Sequence, residues 1–247
     1  LRDPMFADLE IPQMEASDVA ANFPAFTEAF LRLHTAFREE QLALADRGVG
    51  DAQSDAADPV AEARRFLASR RNSFPMLDEA GERLAETIEA KGGLAPYLKA
   101  RHQLRVRRLP ADVLMDSVRR LDRHREEVLL DETLDAASQS FQLALQITYL
   151  EARRTVDAAL EDGSFTSENG ARLARRALAN YLAAAILMPY SAFAKAVEAR
   201  NYDVEALARL FGTSFEQTAH RLTTLQKPGQ ERVPFFFIRV DAAGNVS

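Results

Sequence analysis

The sequence contains neither cysteine nor tryptophan in its 247 residues. Without cysteine the chain can form neither a disulfide framework nor a thiolate zinc site. This composition fits a protein that works in a reducing compartment, and we therefore expect a cytoplasmic location.

Long hydrophobic stretches are also missing. The longest apolar run covers residues 181–188, far short of the ~20 residues that a membrane-spanning helix needs. The N-terminus shows no signal-peptide pattern, so no membrane partner is expected. The sequence starts with Leu1 and stops within a predicted hairpin. We therefore expect it to be part of a longer protein.

Recognisable catalytic signatures are scarce. The four histidines, His34, His102, His124 and His220, stand at no metal-ligand spacing to one another or to carboxylates. The sequence has no nucleophile elbow, no Walker loop and no dinucleotide-binding glycine motif. The residues taken by themselves therefore indicate no particular reaction.

The net charge of −6 is unevenly distributed along the chain. Residues 1–62 contain 13 acidic and 4 basic residues, and the remainder carries a net charge of +3. The mildly basic rear part has two interpretations: ordinary solvated faces, or a local site for an anionic ligand.

A predicted helix pair, residues 134–159 and 167–187, dominates the chain because apolar residues recur there at helical spacing. Gln142, Gln146 and Tyr149 fall on one face of the first helix, together with Arg153. This polar stripe is either solvated surface or the wall of a polar cavity.

The remaining pattern predicts helices before a small group of strands and more helices after it. Helices are predicted over residues 18–47, 58–71, 77–91, 190–199, 204–211 and 214–225; strands over 104–109, 118–121, 127–131 and 233–240; a loop over 48–57 and a turn over 243–245. The helix–turn–helix at 204–225 is interpreted as a structural hairpin with Phe211, Phe215 and Leu222 in the core.

Three motifs resemble the ImmA/IrrE-type zinc-peptidase fold: Phe141-Gln-Leu-Ala144, residues 179–189 and residues 210–215. That family has His-Glu-x-x-His directly after Phe-x-Leu-Ala, and a glutamate ligand three residues before its Ala-Asn. The matching positions here are Leu145, Gln146, Tyr149 and Arg176. The resemblance therefore implies that the metal ligands and the catalytic glutamate are absent, and that the chain is not an enzyme.

A closer resemblance is to the short-chain fatty acyl-CoA transcriptional regulators (ScfR type), a branch of that fold. It is carried by residues 70–75, 109–114, 122–124, 141–144, 220–226 and 233–237. The implied fold class is α+β and mostly helical: an N-terminal helical segment plus a metal-free ImmA/IrrE-like (zincin-like) domain with a small three-stranded sheet. The expected domains are a helical linker or oligomerisation region, 1–95, and a sensor domain, 96–247.

The resemblance implies the ligand-sensing core of a bacterial-type transcriptional regulator. Such a core binds a short-chain acyl-CoA (acetyl-CoA or propionyl-CoA) as effector, without a catalytic cofactor, and modulates DNA binding by a helix-turn-helix domain outside this chain. The residues assigned to ligand binding are Gln142, Leu145, Gln146, Tyr149, Arg153, Arg176, Asn180, Tyr190, Arg221 and Phe236. Ala183, Ala184 and Leu187 are further candidates for an apolar acyl pocket.

Other interpretations stay open at this stage. Arg176 could pair with Glu151 or another carboxylate, and the two glutamines could close a helix–helix interface. The chain could be an oligomerisation scaffold without a ligand, or an enzyme of unrecognised chemistry. A homodimer or tetramer is expected, partly through the phenylalanine-rich stripe of residues 18–47, with operator DNA bound by the domain outside this chain.

Overall fold

The computed structural model describes residues 58–114 and 117–238. The predicted helix over 18–47, the loop over 48–57 and the turn over 243–245 lie outside these ranges. In the described part, the elements in chain order are α1 (Pro59–Ser69), α2 (Pro75–Ala90), α3 (Leu94–His102), β1 (Arg105–Leu109), β2 (Arg119–Asp122), β3 (Glu127–Asp131), α4 (Ala136–Glu151), α5 (Arg153–Leu160), α6 (Glu168–Leu187), α7 (Tyr190–Ala199), α8 (Val204–Phe211) and α9 (Phe215–Leu222). The predicted class, α+β and mostly helical, is confirmed.

Helix α6 is the central element, and its start is fixed by side-chain hydrogen bonds. Ser167 is its N-cap and accepts a hydrogen bond from the N–H of Gly170 at 2.9 Å. The Glu62 carboxylate of α1 accepts hydrogen bonds from the backbone N–H groups of Thr166 and Ser167, at 2.8 and 3.2 Å, and from both of their hydroxyls. These contacts tie α1 to the first turn of α6.

The largest hydrophobic core surrounds α6. Leu178 and Leu182 of α6 are fully buried, and they share this core with Phe66 of α1 and Leu77 of α2. Gly81 of α2 packs directly against Ala185, because a Cβ atom added at Gly81 would stand 2.7 Å from the Ala185 Cβ. The missing side chain therefore allows α2 and α6 to approach closely.

The three strands form one sheet in the order β1-β3-β2. β1 pairs with β3 in parallel, with Arg105 opposite Glu127, and β2 pairs with β3 in an antiparallel arrangement. Val128 and Leu130 of the central strand are buried, as the two-residue period of a strand covered on one face requires. All three predicted strands before residue 132 are confirmed.

The predicted helix over 134–159 is wrong in one respect, because it is two helices. Asp135 caps α4 by accepting the N–H of Ser138 at 2.6 Å, and α4 ends at Glu151. Ala152 then has φ −112° and ψ 16°, and α5 begins at the next residue. Alanine favours helix, so the local sequence carries no signal for this break.

Helix α3 was not predicted. Between the helix predicted over 77–91 and the strand predicted over 104–109 no element was expected, and Pro96 lies in the first turn of Leu94–His102. A proline is tolerated there because the first N–H groups of a helix have no intrahelical acceptor.

A second, smaller core joins α7, α8 and α9. Phe193, Val197, Leu207 and Leu222 are buried in it. Ser214 caps α9 with a full capping box, and the helical-hairpin prediction fits these bounds. Phe215 is 56% exposed, so its assignment to the core is wrong.

The strand predicted over 233–240 is wrong for its described residues, 233–238, which are irregular. Two of their aromatic rings each contact one ring elsewhere in the fold. The ring centres of Phe235 and Tyr202 are 5.4 Å apart, and those of Phe237 and His220 are 4.5 Å apart. Pro234 has no N–H for a ladder hydrogen bond.

Among the described helices, none alone is long and apolar enough to cross a membrane; α6 and α7 pass that test only together, as a pair bent by 65°. The predicted boundary between domains at residues 95 and 96 stays a prediction. In the described part, α1 and α2 share the core of α6, as set out above.

Candidate functional site

The four positions that match the zinc-peptidase motif carry no set of metal ligands. Leu145 and Gln146 are buried on α4, Tyr149 is 46% exposed, and Arg176 is exposed on α6. Throughout residues 58–114 and 117–238, no three His, Cys, Asp or Glu side chains are grouped as a metal site requires. That the chain binds no metal at these positions stays a prediction, based on the chemistry of the four side chains.

A cation that the sequence did not reveal stands beside this motif. Arg119 of β2 donates from Nη1 to the carbonyl oxygen of Gln142 at 2.8 Å, and its Cζ lies 5.4 Å from the Tyr149 ring centre. Burial lowers the pKa of Arg119. Only the fold brings β2 against α4, so the spacing along the chain gave no signal for this contact.

The predicted polar stripe runs from the interior to solvent. Gln146 is buried, Gln142 is half-buried and Tyr149 is partly exposed. The fourth member, Arg153, lies on α5 beyond the helix break, where its side chain is 84% exposed and 3.8 Å from Asp157. The break at Ala152 therefore separates Arg153 from the α4 face.

Glu151 makes contacts other than the suggested pairing with Arg176. Its carboxylate accepts the Tyr97 hydroxyl at 2.8 and 3.0 Å, and its Oε1 lies 2.6 Å from Nε2 of His102. Burial, followed by the hydrogen bond to Glu151, raises the pKa of Tyr97 to about 12. Glu151 thus links the end of α4 to α3.

Two of the assigned residues, Asn180 and Arg221, line one cavity of about 380 Å³, which we call the inner cavity. Its walls come from α1 and the loop after it, α4, α6, α9 and the residues after α9. They comprise Leu67, Asn72, Phe141, Ala177, Asn180, Tyr181, Ala184, Gln217, His220, Arg221 and Thr224. Apolar and polar side chains both belong to the lining, and no carboxylate does.

Phe236, another assigned residue, lines an adjacent cavity of about 670 Å³, the outer cavity. This residue is 84% exposed. The lining comprises Ala68, Arg71, Asn72, His220, Thr223, Gln226, Pro234, Phe235, Phe236 and Phe237. Asn72 and His220 belong to both cavities. Sequence reasoning missed these two residues as site residues, although each stands within a segment that carries the family resemblance.

Arg221 is fully buried and already has protein partners. Its Nη2 donates to Asp78 Oδ1 at 2.8 Å, its Nε to the Met188 carbonyl at 3.1 Å and its Nη1 to the Thr224 hydroxyl at 3.0 Å. Although burial opposes the charge, attraction to Asp78 raises the pKa of Arg221. Burial raises the pKa of Asp78, against the pull of Arg221. The Arg221 guanidinium therefore forms part of the wall of the inner cavity, and its charge is already paired with Asp78.

Tyr190, the remaining assigned residue, is buried on α7 and bridges to the chain after α9. Its hydroxyl donates to the Gln230 carbonyl at 3.0 Å and accepts the N–H of Lys227 at 3.1 Å. Arg221 lies 5.8 Å from the Tyr190 ring centre, so this tyrosine adjoins the buried ion pair.

Comparison with known proteins matches two consecutive stretches of the chain. Residues 99–223 match the family model described as an IrrE N-terminal-like domain. Residues 224–247 match that of the short-chain fatty acyl coenzyme A regulators, C-terminal. The chain belongs to the family of IrrE N-terminal-like domains, and its last 24 residues match the acyl-CoA regulator model. The resemblance seen in the sequence is thereby confirmed.

Curated relatives of this chain carry the names of regulators. It is 37% identical over 251 residues to a propionyl-CoA carboxylase regulator of Cereibacter sphaeroides, covering all of this chain and 53% of that protein. It is 35% identical over 250 residues to the HTH-type transcriptional regulator RamB of Mycobacterium tuberculosis, with 97% and 52% covered. PrpR of the same organism is 32% identical over 244 residues, with 94% and 50% covered.

The chain therefore spans about half the length of the curated relatives it matches. A solved structure of a Mycobacterium tuberculosis transcriptional regulator matches it with a TM-score of 0.70 at 32% identity. That match covers 77% of this chain and 59% of the other. The fold assignment thus has support from both sequence and structure.

Proposed function

We propose that this chain is the sensor core of a transcriptional regulator and binds a short-chain acyl-CoA, acetyl-CoA or propionyl-CoA, across the inner and outer cavities. The observation that carries the proposal is the pair of adjoining cavities, which share Asn72 and His220. One cavity is small, and the other is wider and lined by aromatic rings. An acyl-CoA has the same division between a short acyl arm and a large nucleotide.

The inner cavity would take the acyl group and the end of the pantetheine arm. Leu67, Phe141 and Ala184 supply apolar wall, which a short acyl chain needs. Asn180 offers an amide to the amides of pantetheine. Gln217 accepts the Ser214 N–H through Oε1, which leaves its NH₂ group to donate to a ligand carbonyl.

The outer cavity would take the nucleotide end. Phe235, Phe236 and Phe237 give apolar faces for the adenine ring, and His220 stands 4.5 Å from the Phe237 ring. Arg71 adds a guanidinium, the side chain best suited to bidentate contacts with phosphate.

The residues that line the inner and outer cavities favour ligand binding over catalysis. Neither lining has an aspartate or glutamate that could act as a general base, and His220 is the single histidine in either of them. The chain would therefore act as a ligand-controlled regulator without chemistry of its own. The scaffold alternative would leave both cavities without a ligand.

An effector in the inner cavity can act on DNA only if two conformations of the protein bind it with different affinity. The wall offers a route for such a difference. Arg221 and Tyr181 both contact Asp78, and Tyr190 beside them holds residues 227 and 230. A ligand that displaces this wall would displace the chain after α9. Operator DNA would be bound by a domain outside this chain, within a homodimer or tetramer.

The test is isothermal titration calorimetry of residues 1–247 with propionyl-CoA, acetyl-CoA and free CoA. Ala184→Leu, which fills the inner cavity, is expected to weaken propionyl-CoA by at least about tenfold while free CoA changes less. Asn180→Ala is expected to weaken all three ligands. The matched controls Ala192→Leu and Asn169→Ala lie on exposed helical positions outside both linings and are expected to bind normally.

A folded protein that binds none of the three ligands would contradict acyl-CoA sensing. Unchanged affinity in both Ala184→Leu and Asn180→Ala would place the ligand elsewhere. Circular dichroism melts of every variant separate lost binding from lost folding.

A further inference from the structure

A third cavity of about 610 Å³ lies on another part of the fold, between α2, α3 and the α4–α5 break. It shares no lining residue with the inner or outer cavity. Its lining comprises Ala80, Arg83, Leu84, Thr87, Lys91, Tyr97, Ala100, Arg101, Glu151, Ala152 and Thr155. A volume of several hundred cubic ångströms is typical of a small-molecule site.

The third cavity carries an excess of positive charge. Arg83, Lys91 and Arg101 line it, and within the described ranges no ion pair joins any of them to a carboxylate. Glu151 is the one acidic residue in the lining, and both of its oxygens accept the Tyr97 hydroxyl. The three cations are therefore available to a ligand.

Helix α2 contributes a basic residue to the third cavity, although the helix itself is rich in acidic residues. Three of its acidic side chains contact other parts of the fold: Asp78 pairs with Arg221, Glu79 with Lys227 at 3.6 Å, and Glu82 accepts the Ser191 N–H at 2.8 Å. None of the five acidic residues of α2 belongs to the cavity lining, whereas Arg83 does, as does Lys91 just after the helix. The local charge of the cavity is thus opposite to that of the helix.

We infer that the third cavity binds a phosphate-bearing small molecule of nucleotide size, at a site separate from the acyl-CoA cavities. Arg83, Lys91 and Arg101 would hold the phosphates through charge-assisted hydrogen bonds. Leu84 and the alanines of the lining would contact the base or another apolar part. The Thr87 hydroxyl donates to the Arg83 carbonyl at 2.7 Å and keeps its acceptor capacity for the ligand.

The experiment is calorimetry of residues 1–247 with ADP and with pyrophosphate at low and physiological salt. Both probes are expected to bind, more weakly as salt rises. Lys91→Gln and Arg101→Gln are each expected to weaken both probes about tenfold, since each removes a charged hydrogen bond. Arg123→Gln, an exposed arginine in the β2–β3 turn, is the control and is expected to bind normally.

ADP is also a fragment of CoA and could bind in the acyl-CoA cavities. A further variant therefore separates the third cavity from those cavities. Arg71→Gln, in the outer cavity that would take the nucleotide end of CoA, is expected to leave pyrophosphate binding unchanged. No binding of either probe would overturn the inference. So would undiminished binding in the folded Lys91→Gln/Arg101→Gln double variant, or loss of pyrophosphate binding in the folded Arg71→Gln variant.

Discussion

Asp78 of α2 and Arg221 of α9 form an ion pair in which both side chains are fully buried, with Oδ1 and Nη2 2.8 Å apart. The Tyr181 hydroxyl donates to the second Asp78 oxygen at 2.8 Å. Two helices 143 positions apart in the sequence are therefore joined by charges that have no access to water. Arg221 also stands in the wall of the inner cavity, so stability and the proposed binding share this residue.

Removing one partner of this pair is expected to be costly. Asp78→Asn leaves the Arg221 charge buried without its counter-ion, and such single losses typically destabilise by about 3–5 kcal/mol. The free energy of unfolding from urea titration measures the effect. Glu205→Gln, which breaks the exposed pair with Arg209, is the control and is expected to cost less than about 1 kcal/mol. Equal losses in the two variants would contradict this interpretation of the buried pair.

The Glu62 carboxylate gives a pH-dependent contribution to stability. Hydrogen bonds from the Ser167 and Thr166 hydroxyls lower the pKa of Glu62 from 4.5 to about 2. Because the folded-state pKa is depressed, the contribution is complete above pH 4.5 and is lost as pH falls toward 2. Glu62→Gln is expected to lower the free energy of unfolding at pH 7, and its difference from wild type is expected to shrink below pH 4.5.

Unfolding curves at several pH values, with exposed Glu161→Gln as control, measure the contribution of Glu62. A wild-type to Glu62→Gln difference that stays constant from pH 7 to pH 3 would count against the capping role.

Close packing of α2 on α6 predicts a compensating pair of substitutions. Gly81→Ala places a Cβ 2.7 Å from that of Ala185, and overpacking of this kind typically costs about 1–3 kcal/mol. Removing the opposing methyl in Gly81→Ala/Ala185→Gly is expected to restore part of the loss, although glycine within α6 itself costs roughly 1 kcal/mol. A double-mutant cycle of thermal melts measures the coupling. Strictly additive changes in stability would show that the two positions are not in steric contact.

The altered peptidase motif makes a prediction about metal. Leu145 has no ligand atom, and the Arg176 side chain carries a positive charge that repels a cation. Purified protein is therefore expected to contain no stoichiometric zinc by elemental analysis, before or after incubation with excess zinc and dialysis. One zinc per chain retained through dialysis would refute it.

How much the sequence could predict depended on whether the signal was local. Asp58 followed by Pro59 marks the start of α1, and Asp58 does cap it by accepting the Val60 N–H at 2.9 Å. The bounds of α7 and α8 came from equally local patterns. The break at Ala152 has no local mark in the sequence. Tyr97 and His102, which contact the adjacent Glu151, lie on α3, a helix that was not predicted and that contains Pro96.

Site geometry depended on contacts between distant parts of the chain. The family motifs directed attention to α4 and α6, where Asn180 does line a cavity. The other wall comes from Asn72, whose Nδ2 donates to the Thr223 hydroxyl at 3.0 Å across 151 positions. Neither that pairing nor the approach of Arg119 to Tyr149 leaves a periodic trace in the sequence, because each is made only when the helices pack.

The Tyr190 hydroxyl connects α7 to the turn that follows α9. The turn at residues 227–230 is closed by its own hydrogen bond, from the Gln230 N–H to the Lys227 carbonyl at 2.9 Å, and both of its ends are also bound to one phenolic oxygen. Just beyond it, Arg232 meets Glu198 at 2.8 Å, again on α7. A rotation of α7 would therefore pull on both ends of the segment 227–232 through these contacts.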